Sequence, residues 1–363
     1  MRARVTVIFI AMAVLGAACG PGGDATPPSS TTLPSTSTAP EAAAVAFVYS
    51  YEPGDHHDYG FALDQTLQMT VDAEGDNSLL GEDPPQDISV TTSITGTISY
   101  DIAAGPEPGT RQISISGVFD QLDIDGTIDG EPVDQAMIED GTVPDLVEVP
   151  DITIVIDEYG HLVAVDGEEI PEDFPFFGDP FSELGEFTSG GLSGHFGPAF
   201  PDEPLAVGDT WSFTQSDEIE GLDAAMSITS TYEVIGTETV DGHEVAAIEF
   251  TTETSEVILD LGEMFQGLFD AFGELGAEPG DTTSDTGRET PDITFVITVA
   301  PSTANGTVWF DQEAGIVEKY SQDTTSTISM LMDFSDAEAV VRTAVTMDLD
   351  MRLTAELIEG QSA

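Results

Sequence analysis

From about residue 44 onward, apolar and polar residues alternate with period two over long stretches, as strands with one buried face require. Ile88, Val90, Thr92, Ile94, Gly96, Ile98, Tyr100 and Ile102 share one face; Asp87, Ser89, Thr91, Ser93, Thr95, Thr97, Ser99 and Asp101 share the other. The pattern recurs through Phe61, Leu63, Leu67, Met69 and Val71, and through Met226, Ile228, Tyr232 and Val234. Near the C-terminus Val341, Val345, Met347, Leu349, Met351 and Leu353 face one way. Arg342, Thr346, Asp348, Asp350, Arg352 and Thr354 face the other. At about 3.3 Å per residue, such runs are near twice the usual strand length. They predict a mainly β (α+β) fold: a large curved antiparallel sheet or half-barrel, wet outside and apolar within.

Two stretches break the alternation. Residues 172–200 hold seven of the 19 Phe among glycines and prolines, and read as a loop with one short helix. In Val257–Leu275, by contrast, Ile258, Leu261, Phe265, Leu268, Phe272 and Leu275 recur at steps of three and four, a helical stripe widened by Met264 and Phe269. Burying these large side chains is worth on the order of 12–24 kcal/mol gross, so the stripe cannot sit in water. Gly262, Gly267 and Gly273 each cost a helix about 1 kcal/mol relative to alanine, so what it covers must order it. The expectation is a helical insertion over residues 256–276 on the concave face of the sheet. Its bland role is to complete the core. Its sharper role is a lid over an apolar cavity, lined by Ile258, Leu261, Met264, Phe265, Leu268, Phe269 and Phe272 with Phe181 and Leu184. Residues 278–292 form a polar loop.

A weak internal repeat divides the chain. Ile154–Val163 and Val308–Val317 both read as strand, Asp-to-Gly hairpin turn, strand, and each follows about three alternating strands. Duplication and two unrelated hairpins with ordinary turn chemistry explain this equally well. The layout is a first β half over 44–170, a Phe-rich connector over 171–204, and a second β half over 205–363.

The N-terminus is of another kind. Arg2 and Arg4 precede an apolar run from Val5 to Ala18, which is too short to span a bilayer, since a span needs about 20 apolar residues. Leu15-Gly16-Ala17-Ala18-Cys19 ends it, and Cys19 is the only cysteine of 363 residues. This segment resembles the lipobox of bacterial lipoproteins. The resemblance implies a signal peptide over 1–18, export, and acylation of Cys19 as a membrane anchor. The Pro/Ser/Thr-rich residues 19–43 then form a tether, about 25–30 Å long as a flexible coil. The expected location is the extracytoplasmic face of the cell membrane.

Charge narrows the partners. The formal net charge is −62, from 7 basic and 69 acidic residues spread over the whole chain, and Lys319 is the only lysine. Such a surface repels nucleic acid and anionic headgroups, so the acyl chain rather than electrostatics must hold the protein at a membrane. Solubility in a saline or divalent-rich medium explains the acid better than collection of cations does. With 40% apolar residues the chain can still build a core. A monomer is expected.

Catalytic constellations are poor. Ser193 in Gly191-Leu192-Ser193-Gly194-His195 lacks the spacing of a nucleophile elbow. His56 and His57 between Asp55 and Asp58 are the best metal candidates, but neighbours on an extended chain point oppositely. Asp123, Asp125 and Asp129 lack the terminal Glu of a calcium loop, since Pro132 stands there. The expectation is therefore no catalytic residue, no cofactor and no metal.

Two fragments carry further resemblances. Pro201-Asp202-Glu203-Pro204-Leu205-Ala206-Val207-Gly208-Asp209-Thr210-Trp211 resembles the opening strand of an uncharacterised family of exported β-rich bacterial lipoproteins. Gly306–Asp311 with Gly315-Ile316-Val317 is similar to a hairpin of lipoprotein carriers of the LolA and LppX/LprG type. The latter implies a curved antiparallel sheet, helices over its concave face and a lipid-binding cavity. The expected function is non-catalytic binding or shuttling of a hydrophobic ligand near the envelope, the alternative being a structural or interaction lipoprotein with a self-packed core.

Overall fold

The computed structural model describes residues 44–75, 87–132, 149–165, 168–169, 197–219, 224–262, 292–335 and 340–358. Cys19, Phe181, Leu184 and residues 263–276 lie outside them. The first strands are β1 (His56–Gly75), β2 (Asp87–Ala104), β3 (Arg111–Ile128), β4 (Glu131–Pro132), β5 (Val149–Ile156), β6 (Leu162–Val165) and β7 (Glu168–Glu169). Then come β8 (Thr210–Ile219), β9 (Ala224–Val240), β10 (His243–Thr254), β11 (Val257–Asp260), β12 (Asp292–Val299), β13 (Ser302–Asp311), β14 (Ile316–Ser335) and β15 (Val340–Leu357).

All belong to one antiparallel sheet, ordered β7-β6-β5-β3-β2-β1-β15-β14-β13-β10-β9-β8, with β4, β11 and β12 paired beside this path. Among the described residues the sheet is not closed by hydrogen bonds. Two up-and-down meanders lie side by side, joined where the first strand pairs with the last along Tyr59–Gly75. Interrupted strands still act as long ones. The 20 residues of β14 pair first with β13 and then with β12, across a break at Ala300-Pro301. Proline has no N–H to give the ladder, and the Ala300 N–H turns to the Thr327 carbonyl instead.

The alternation has the meaning read from it. On β2, Ile88, Gly96, Ile98, Tyr100 and Ile102 are buried while Thr91, Thr95 and Asp101 are exposed; on β15, Val345, Met347, Leu349 and Leu353 are buried while Arg342, Asp348, Asp350 and Arg352 are exposed. The inward side chains form one cluster at the end of the sheet where β1 starts, and a second around Leu67, Met69, Ile88, Met330, Val345 and Met347 toward the other end.

The expected helix is corrected at its start. No helix is formed as an element among the described residues, and Val257–Asp260 is strand β11, paired with Val296–Val299. Ile258, expected to line a cavity, is about half exposed, whereas Leu261 is buried. Val257, Leu259 and Leu261 also fit a period of two. A ready ladder partner and β-branched residues outweigh the weak helix preference of a segment interrupted by glycine.

Candidate functional site

The end of the sheet where the described chain begins is filled by two extended segments. Val45–Tyr51 runs in first, and Val45 forms a bridge with Leu205 of the second segment. Tyr49 donates its N–H to the Glu158 carbonyl and Ser50 to the Gly315 carbonyl, so one segment is tied to both Asp-to-Gly hairpins. The turns are built alike. Asp157 Oδ1 accepts from the N–H groups of Tyr159 and His161; Asp311 Oδ1 accepts from those of Glu313 and Ala314. Gly160 and Gly315 then close them at φ of 84° and 67°.

Around this segment sits an aromatic cluster. The Phe200 ring lies 5.1 Å from Phe47 and 5.0 Å from Phe310, and Trp211 stacks on Tyr232 at 5.1 Å. Polar tips are satisfied locally: the Trp211 Nε1–H donates to the Ala199 carbonyl, the Tyr49 hydroxyl to Pro198 and the Tyr59 hydroxyl to Val317. Burial raises the pKa of Tyr232 to about 12 and lifts those of Tyr49 and Tyr59 well above the phenol range, so all three stay neutral. His161, just before β6, meets Phe213 of β8 edge-on at 5.9 Å. The two margins of the open sheet therefore approach each other here, which requires strong bending.

Between the two apolar clusters the inner face turns polar. One cross-strand row reads Thr92, Gln65, Met351, Thr324, Ala304, Thr252 and Ser230 in continuous register over seven strands. Gln65, Thr324 and Ser230 are buried, and so is Ser326 two places along β14. Some of these groups pair with each other: Gln322 Nε2 donates to Thr324 Oγ1, and Ser230 and Thr252 share a hydrogen bond. The Ser326 hydroxyl is buried without a hydrogen-bond partner among the described residues. A buried hydroxyl left unpaired costs on the order of 1–3 kcal/mol. This row was not singled out from the sequence, although Gln65 interrupts an otherwise apolar face between Leu63 and Leu67.

The histidine pair diverges as extended chain dictates. His56 Nδ1 lies 2.8 Å from Asp101 and its Nε2 3.1 Å from Asp58; the Asp101 hydrogen bond raises its pKa. His57 packs against Tyr51 at 5.7 Å, and burial lowers its pKa. The two rings do not converge on a common ligand. Ser193 and His195 lie outside the described residues. Of the expected cavity residues, only Ile258 and Leu261 are described, and they do not face the same way. No protein-family model matches this chain, and no curated protein matches it in sequence.

Proposed function

We propose that this chain is an extracytoplasmic lipoprotein, anchored through acylated Cys19, that binds or shuttles an apolar ligand carrying a hydrogen-bonding group, without catalysis. The observation that supports this most is the buried polar row between two apolar clusters on the inner face of an open sheet. A core meant only for stability has no use for a buried, unpaired Ser326 hydroxyl. A ligand with an ester, amide or hydroxyl flanked by hydrocarbon matches the sequence of surfaces along the face. The resemblance to LolA and LppX/LprG-type carriers points the same way, and the matched hairpins at like places in the two meanders fit two related halves.

The competing structural role draws support from the end of the sheet where the described chain begins, where Phe200 and Phe310 are completely buried by the protein's own aromatic rings. That end is the closed floor in the carrier reading. Two measurements decide. Cys19→Ala should move the protein from the detergent to the aqueous phase on partitioning, and unchanged partitioning refutes the anchor. Mass spectrometry of the soluble Cys19→Ala protein should then find an amphiphile co-purifying near one per chain; protein free of lipid refutes the carrier.

A further inference from the structure

The outer end of the second meander gathers three ligating side chains that no sequence motif joins. His243, Asp311 and Glu318 each offer one ligand atom, and these lie within 4.8 Å of one another. Each is placed by a specific turn or irregularity. Asp241 and Gly242 take positive φ of 49° and 94°, the type I′ geometry of a two-residue hairpin, which makes His243 the first residue of β10. Asp311 opens the β13–β14 turn, with its Oδ1 committed to the backbone N–H groups of Glu313 and Ala314. Glu318 is the extra residue of a β-bulge, where the register slips from Trp309–Lys319 to Phe310–Val317. Bulges re-aim side chains, and this one takes Glu318 out of the simple alternation.

Burial makes the cluster unusual. Asp311 and Glu318 are each more than nine-tenths buried, while His243 is half open to solvent. The second carboxylate oxygen of Asp311, Oδ2, lies 3.6 Å from His243 Nδ1, within ion-pair reach. Two carboxylates this close and this dry repel each other unless a cation or proton lies between them. In a chain of net charge −62 the surroundings add to that repulsion.

From the inward Asp311 Oδ2, the buried Glu318 carboxylate and the half-open His243 imidazole we infer a divalent transition-metal site, suited to zinc, with one position open to solvent. One imidazole and two carboxylates form a mixed nitrogen and oxygen donor set that suits zinc and its neighbours. Calcium and magnesium, which want six or more oxygens, are poorly served. The ion would tie the β9–β10 turn to both strands of the β13–β14 hairpin, the hairpin whose Gly315 carbonyl holds Ser50. Its role is a structural clamp at the end of the sheet where the described chain begins.

The test is calorimetric titration of the full chain in detergent with Zn²⁺, under excess Mg²⁺ to occupy surface carboxylates. One tight site is expected. His243→Ala and Asp311→Asn should each weaken it by at least the ~10–100-fold that even supporting residues of metal sites cost. Asparagine keeps the Oδ1 acceptor of the turn, so the second variant retains its fold; circular dichroism verifies this. Zinc bound equally by wild type and variants shows diffuse surface binding and overturns the site. Absence of tight binding to wild type overturns it too, leaving a His243 ion pair.

Discussion

At the scale of single residues, the Asp157–His161 pair is the clearest ionic device. The Asp157 side-chain hydrogen bond raises the His161 pKa, with burial opposing. Burial also works to raise the Asp157 pKa, but the hydrogen bonds from His161 outweigh it and the net direction is down. A raised histidine contributes stability that is complete below its unfolded pKa of about 6.5 and is lost as pH rises through the folded value. The lowered Asp157 contributes above its unfolded pKa and loses that only in acid. Both side chains are about one-third exposed, so solvent screening keeps the pair within ~1 kcal/mol. His161→Gln should therefore cost more stability near about pH 6 than near about pH 8.5, as read by urea unfolding. His56, raised for a similar reason, cancels in the difference. A gap that stays constant with pH would assign the effect to packing against Phe213 instead.

At the scale of elements, the segment Val45–Tyr51 is a strut between two hairpins rather than a passive lead into β1. Its fit depends on close-approaching glycines, two of them in the hairpin turns. A Cβ on Gly160 would stand 2.5 Å from the Tyr49 ring, and one on Gly315 would stand 2.5 Å from Ser50. Both positions also hold positive φ, so alanine is strained in backbone and clashes with the strut at once. Gly160→Ala and Gly315→Ala are expected to destabilise by ~1–3 kcal/mol each, with lower urea midpoints. Limited proteolysis should then cut more readily between residues 44 and 55. Stability loss without that new cleavage would mean that the strut is held by its aromatic contacts alone. The hairpins themselves were readable in sequence from the Asp-to-Gly spacing. That a single segment clasps both was not, because Tyr49 lies 109 residues from Glu158 and the contact exists only after the sheet bends.

At the scale of the whole molecule, one wide sheet exposes carboxylates along its strands, Asp101, Asp348 and Asp350 among them. Raising NaCl from about 0.1 to about 1 M shortens the screening length from ~10 to ~3 Å. Thermal melting should accordingly shift upward with salt, as self-repulsion among carboxylates fades. A melting temperature that is flat or falls over this range would contradict net repulsion as a stability cost.

The local rules carried most of the architecture. Period-two alternation determined that β2 and β15 are strands and which of their faces is wet, because a strand's side chains must alternate. They did not determine the fate of Val257–Asp260, whose spacing suits a helix or a strand equally over so few residues; the ladder to Val296–Val299 decided it. Nor did sequence order bring His243 to Asp311 and Glu318, or line up Gln65, Thr324 and Ser230 in one row. Those meetings follow from strand register, which is set by hydrogen bonds between segments far apart in the chain. Chain-local chemistry chose each residue's conformation and face; only long-range pairing chose its neighbours, and the candidate sites are made of neighbours.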